Sequence, residues 1–190
     1  MKSLLFASML SVAGAAQAHL TIFEGTFAPE AAGATGSGTL RLEYDELDNT
    51  LFIQADWKGL SGTTANAHIH CCTAAPFTGT AGVALAENGR LPGFAAGITD
   101  AYTRVIDLSL TTMYGGGFVT ASGGTANGAR DRLLANLTSG QAYFNIHTST
   151  FGGGEIRAFV TQVPEPQTCA MLIAGLGVLG WAARRTRTQA

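Results

Sequence analysis

Three of the four histidines in the chain stand in two short segments whose pattern suits metal binding. His68 and His70 are separated by one residue, and His147 follows much later, at the end of an apolar segment. On a strand, His68 and His70 share one face about 6.5–7 Å apart, a distance that two imidazoles can bridge to one ion. If the two segments are neighbouring strands, His147 supplies a third nitrogen. Cys72 on the same face offers a thiolate, and this ligand set predicts a copper or zinc site.

The same residues also have structural interpretations that the sequence leaves open. The imidazoles could hydrogen-bond to loop carbonyls, and Glu155 and Arg157, two apart on a strand, could form an exposed ion pair of little energetic worth. Cys71 and Cys72 are adjacent and cannot link distant segments. In an oxidising compartment they would close a vicinal disulfide, or remain thiols if a metal holds them.

Alternation of apolar and polar residues predicts that strands hold these side chains in place. A hairpin turns at Leu47-Asp48-Asn49, and one segment, Thr125–Leu137, instead has the spacing of a helix. The fold class predicted is all-β: an immunoglobulin-like or Greek-key antiparallel β-sandwich with one short helix packed against a sheet edge. The predicted strands are Leu20–Ala28, Thr39–Tyr44, Thr50–Trp57, Ala65–Cys71, Tyr102–Leu108, Gln141–His147 and Glu155–Val163.

Length and charge place this domain between two processing segments. The chain has 190 residues, a net charge of -2 and only 13% charged residues. Lys2, an apolar run and Ala16-Gln17-Ala18 have the form of a secretory signal peptide over residues 1–18, cleaved after Ala18. One domain is expected over residues 19–162. Its acidic side chains outnumber its basic ones, which argues against nucleic acid as a partner.

The C-terminal segment, residues 163–190, contains Pro164-Glu165-Pro166, an apolar stretch at Cys169–Ala183 and an arginine-rich end. These parts resemble the PEP-CTERM sorting signal of Gram-negative bacteria. The resemblance implies export across the inner membrane to the cell surface or beyond, with processing by an exosortase-type enzyme at the Pro-Glu-Pro segment. It also implies transient anchoring in the membrane by the hydrophobic helix. The apolar stretch is short for a full span, which needs about 20 residues.

Four motifs between Thr26 and Val160 resemble the CHRD domain, first described in chordin. The resemblance implies an immunoglobulin-like sandwich with no established catalytic role. The chain departs from the family where Cys71 follows the second histidine and where Gly152 precedes the remaining glycines. The motifs are Gly59-Leu60-Ser61-Gly62, Ala67-His68-Ile69-His70, Tyr143-Phe144-Asn145-Ile146-His147-Thr148 and Phe151-Gly152-Gly153-Gly154-Glu155-Ile156-Arg157.

The order of the histidines, followed by a glycine-rich turn and Arg157, also resembles copper/zinc superoxide dismutases. That resemblance implies that His68, His70 and His147 hold copper and that Arg157 attracts an anion, but a bridging histidine and a zinc-ligand loop are missing from the sequence. Two hypotheses follow. The favoured one is a non-catalytic surface or matrix module that contacts an extracellular polymer or surface protein. The alternative is an exported copper- or zinc-binding protein.

Overall fold

The computed structural model describes residues 19–97, 99–164, 174–177, 179 and 184. The predicted signal peptide with Ala18 lies outside these residues, as do Glu165, Pro166 and most of the C-terminal apolar stretch. Pro164 is described and is exposed after the last strand. Among the described residues, no helix combines the length and the apolar character needed to cross a membrane.

In the part of the chain that the structure describes, eight strands form one antiparallel sheet, curved into a half-barrel. They pair in the order β5-β4-β7-β8-β1-β2-β3-β6. The antiparallel all-β prediction is confirmed, and β5 is the one described strand that the sequence did not predict. The strands are β1 (Leu20–Pro29), β2 (Ser37–Asp45), β3 (Thr50–Lys58), β4 (Thr64–Cys71), β5 (Val83–Leu85), β6 (Ala101–Asp107), β7 (Ala142–Thr148) and β8 (Ile156–Gln162).

The first strand explains why the described strands do not divide into the two packed sheets of the expected sandwich. β1 pairs with β2 along one side and with β8 along the other. It thereby joins the β2-β3-β6 strands to the β8-β7-β4-β5 strands through continuous hydrogen bonding. The expected immunoglobulin-like or Greek-key sandwich of two sheets is not confirmed, because the described strands form one curved sheet.

Two α-helices and a 3₁₀ turn accompany the sheet, and the described residues 174–177 of the C-terminal segment are also helical. The turn is Thr111–Met113, α1 is Gly116–Ala121 and α2 is Ala126–Thr138. The predicted helix is confirmed as α2, and Thr125 caps it by accepting a hydrogen bond from the Gly128 N–H. Its buried residues recur every fourth position and pack on β7 and β8, in the middle of the sheet and not at its edge.

The inner face of the half-barrel holds the apolar core. On β3 the buried side chains alternate from Leu51 to Trp57, and on β4 Ala67 and Ile69 join the same cluster. Burying each large apolar side chain contributes about 1.5–3 kcal/mol. A slip of one residue would turn this set outward, so the core fixes the register. The register in turn determines which polar residues stand on the outer face.

Candidate metal centre

The predicted histidines lie together on the outer face of the sheet, across two neighbouring strands. β4 and β7 pair antiparallel, with His68 opposite Asn145 and His70 opposite Tyr143. His147 stands two residues beyond Asn145 on β7, diagonal to His68. The ring centroids of His68 and His147 are 4.9 Å apart, and those of His68 and His70 are 5.5 Å apart.

Although it faces away from the core, this part of the sheet is largely buried. His68 is 8% exposed and Asn145 is 1% exposed. Two loops cover them: residues 72–82 lie over β7 and β8, where the Phe77 ring contacts the Phe159 ring, and residues 86–90 lie over β4. The loops therefore turn the outer face into a second, polar interior.

One nitrogen of each imidazole is committed to the backbone of these loops or of the turn after β7. A carbonyl oxygen can only accept, so each of these ring nitrogens carries the proton. Metal-binding histidines in proteins are usually oriented by such a bond. The pairs are His68 Nε2 with Gly89 O at 2.6 Å, His70 Nδ1 with Ala81 O at 2.9 Å, and His147 Nδ1 with Gly152 O at 2.9 Å.

The opposite nitrogens converge. His68 Nδ1 and His147 Nε2 are 3.1 Å apart, and His70 Nε2 is buried with no hydrogen-bond partner. One nitrogen from each ring lies within 4.8 Å of the other two. In neutral rings all three are lone pairs, so two acceptors face each other beside a third acceptor that has no donor. A proton or a cation between them is needed to make this arrangement favourable.

Burial keeps two of the rings neutral. Desolvation lowers the pKa of His68, despite its hydrogen bond to the Gly89 carbonyl. Desolvation likewise lowers the pKa of His70, to about 4. Both imidazoles are therefore uncharged at neutral pH, with one N–H and one lone pair each, which is the form that binds a metal ion.

Cys72, the fourth predicted ligand, is not part of this cluster. Its sulfur is bonded to Cys71, so the vicinal disulfide left open by the sequence is the form in the structure. A disulfide sulfur has no thiolate to offer an ion. The group of potential metal ligands among the described residues comprises His68, His70 and His147 alone.

Asn145 and Glu30 occupy the space beside the histidines. The Asn145 Nδ2 donates to Glu30 Oε2, whereas its Oδ1 is buried and has no partner. Desolvation raises the pKa of Glu30, although Arg157, His147 and the bond from Asn145 act in the opposite direction. Sequence reasoning placed Asn145 on this face but had no reason to connect it with Glu30.

Arg157 is held in place against this same group. Its Nη1 donates to Gly79 O at 2.7 Å and lies 3.5 Å from Glu30 Oε1. Its guanidinium also lies over the rings of Tyr143 and Phe159, 5.4 and 5.2 Å from their centroids. The guanidinium is thus packed over aromatic rings and bonded to the protein.

Glu155 does not pair with Arg157 and is not exposed, contrary to one interpretation of the sequence. It is 0% exposed and accepts hydrogen bonds from the Ser61 N–H at 2.6 Å and the Thr148 hydroxyl at 2.6 Å. Burial alone would raise the pKa of Glu155, but these donors outweigh it and hold the pKa below its usual value. Glu155 therefore joins the Gly59–Gly62 loop to the end of β7.

The fold and the cluster define a β-sheet domain that carries a partly buried group of three imidazoles. The family model of the CHRD domain matches residues 16–160, well over half of the chain. The chain belongs to the CHRD domain family. A PEP-CTERM protein-sorting motif matches residues 162–187. It indicates export and sorting to the cell surface or extracellular space of a Gram-negative bacterium, with processing by an exosortase-type enzyme.

Comparisons with curated proteins and with solved structures returned no significant match.

Proposed function

We propose that this exported, surface-directed domain binds one copper or zinc ion through His68 Nδ1, His70 Nε2 and His147 Nε2. The observation that carries the proposal is the convergence of three lone pairs in a partly buried space. A proton shared by His68 and His147 would satisfy two of them and leave His70 Nε2 unpaired. A metal ion satisfies all three at once.

The spacing of the nitrogens supports this choice. Three nitrogens about 2.0–2.1 Å from one ion lie about 3.3–3.6 Å from each other. The His68 and His147 nitrogens are already 3.1 Å apart, and no pair in the cluster exceeds 4.8 Å. Small ring movements of about 1 Å would complete the geometry, and the carbonyl partners orient the rings for it.

The export route and the partners extend this proposal. A signal peptide over residues 1–18 directs the chain across the inner membrane, and the C-terminal apolar stretch anchors it until an exosortase-type enzyme acts near Pro164. The domain acts as a binding module and not as a catalyst, and its partner is an extracellular polymer or a surface protein. The sorting motif supports the route, and the family resemblance supports the non-catalytic role.

Metal analysis of the exported protein, purified without a polyhistidine tag, tests the proposal. We expect about one zinc or copper per wild-type chain, and none above trace in a His68→Ala/His70→Ala variant. His19→Ala is the matched control for zinc, because His19 contacts Asp45 at 3.2 Å and lies outside the cluster. A wild-type protein that takes up neither metal at micromolar concentration would refute the proposal.

A further inference from the structure

The three imidazoles leave a coordination position open. This inference rests on the proposed metal site. Zinc and copper bound by three protein nitrogens commonly take a fourth ligand from solution. Within the described residues, the cluster contains no fourth histidine, cysteine or carboxylate, and the Cys72 sulfur is bonded to Cys71.

Asn145 is the neighbour of the cluster whose side chain has an unpaired buried oxygen. It stands opposite His68 across the strand pair and two residues from both Tyr143 and His147 on β7. Three buried side-chain atoms in the described chain have no hydrogen-bond partner, and two of them, His70 Nε2 and Asn145 Oδ1, are on this face. His70 and Asn145 are diagonal across this strand pair, and two unpaired polar atoms on one covered face indicate a missing ligand, because buried polar atoms in proteins are rarely left without a partner.

The orientation of the Asn145 amide is determined by its other neighbours. Nδ2 donates to Glu30, and Glu30 is itself held by Arg157. Gly154 makes room for this arrangement, since a Cβ at that position would overlap both the Asn145 amide and the Glu30 carboxylate. A carboxylate accepts and does not donate, so Oδ1 is the end of the amide that stays free. The free atom is a hydrogen-bond acceptor.

We infer that Asn145 Oδ1 accepts a hydrogen bond from the ligand at the fourth position, and that the site selects ligands that carry a hydrogen on the coordinating atom. Water and hydroxide are ligands of this class. Azide bound by the same position has no hydrogen to donate, leaves Oδ1 unpaired and brings a negative charge towards an oxygen. Asn145 is therefore a specificity-determining residue for the exchangeable ligand.

Azide titration of the cobalt-substituted protein tests this inference, because bound Co²⁺ reports its ligands in the visible spectrum. The exported protein is loaded with Co²⁺ alone and then titrated with sodium azide. We expect Asn145→Leu to bind azide about tenfold more tightly than wild type. Glu30→Gln should show a smaller gain, because an amide at position 30 can accept or donate and no longer fixes which end of Asn145 is free. Asn136→Leu on α2 is the control, and its azide affinity should equal that of wild type.

The outcomes separate the two proposals. Equal azide affinities in wild type, Asn145→Leu and Glu30→Gln, with Co²⁺ bound in all three, would overturn the inference and leave the metal site standing. A wild-type protein that binds no Co²⁺, zinc or copper would overturn the metal site and the inference together. If circular dichroism shows that Asn145→Leu does not fold, the comparison of Glu30→Gln with wild type decides the matter.

Discussion

The histidine cluster and the Glu155 cluster are both built from the CHRD motifs and share strand β7, but only one of them is complete. Around Glu155, both carboxylate oxygens accept hydrogen bonds from the protein, one from the Ser61 N–H and one from the Thr148 hydroxyl. In the histidine cluster, each ring has one nitrogen hydrogen-bonded to a backbone carbonyl. Of the remaining nitrogens, those of His68 and His147 face each other, and that of His70 has no partner. A polar cluster that serves stability closes on itself, whereas one that serves a ligand leaves matched atoms open.

The two carboxylates near these clusters show the same difference. Donors aimed at Glu155 hold its pKa below the usual value, while desolvation raises the pKa of Glu30. Glu155 is stabilised in its charged form by its own surroundings. A cation bound in the adjacent histidine cluster would further stabilise the charged form of Glu30. Mutations in the two regions should therefore affect different properties. Those around Glu155 should lower stability, and those around the histidines should change ligand binding.

Glu155→Gln should have the largest effect on stability. Glutamine keeps one acceptor but replaces the other with an amide group that cannot accept from the Thr148 hydroxyl. Hydrogen bonds to a buried charged group contribute about 1.5–3 kcal/mol each, so we expect a loss of about 3 kcal/mol in urea-induced unfolding. Zinc affinity of the folded protein should stay within about threefold of wild type. Glu46→Gln, at an exposed position, is the control and should be nearly neutral.

The free energy of unfolding of the same variant at acidic pH supplies a second measurement. The folded pKa of Glu155 lies below its unfolded value of 4.5, so the unfolded chain takes up the proton first as the pH falls. The stabilisation is therefore complete above about pH 4.5 and is lost as the pH falls through the folded pKa. Unfolding free energies measured from pH 7 down to pH 3 should fall less steeply for Glu155→Gln. Identical slopes for the two proteins would contradict this account.

Gly154→Ala should disturb both regions, with an intermediate effect. Gly154 has a φ of +125°, and its Cβ would meet the side chains of Asn145 and Glu30. We expect a loss of about 2 kcal/mol in stability, together with weaker zinc binding. Gly153→Ala is the matched control, because a Cβ there meets nothing within 4 Å, and it should change stability by less than about 0.5 kcal/mol. Equal effects at the two glycines would show that the space beside Asn145 is not required.

Replacing the disulfide should have the smallest effect on the metal site. In a Cys71→Ala/Cys72→Ser variant the three imidazoles and their carbonyl partners are unchanged, and we expect zinc affinity within about threefold of wild type. Competition with a chromogenic chelator measures this directly. A zinc affinity lower than that of wild type by tenfold or more would indicate that the Cys72 sulfur is a metal ligand after all.

Local sequence pattern predicted the parts of the site that depend on strand geometry. Alternation placed His68 and His70 on one face and Ala67 and Ile69 on the other, and the structure has them so. It could not predict the partners that come from distant segments. Glu30 reaches Asn145 from 115 residues away, and the Gly89 carbonyl reaches His68 from 21 residues away. Such contacts depend on how the loops fold over the sheet, for which there is no periodic signal.

The number of sheets could not be predicted from the local sequence pattern either. The alternation in each strand is the same whether β1 ends one sheet or joins two halves of a single sheet. Only the pairing of β1 with both β2 and β8 decides this, and pairing is a property of the assembled chain. The same holds for Cys71 and Cys72. Their sequence allowed either a disulfide or two thiols, and the structure has the disulfide.

By itself, the sequence determined the positions of seven of the eight described strands, the face that each histidine of the cluster takes, the α2 helix and the membership of the CHRD family. These features follow from residue type and from spacing along a few neighbouring positions. The tertiary structure alone decided that three imidazole lone pairs meet in a partly buried space, that Asn145 has an unpaired oxygen on the same face, and that the hydrogen bonds of Glu155 are all made within the protein. The physical reason is that hydrogen-bond satisfaction is settled between segments far apart in the chain, once the core has fixed the register.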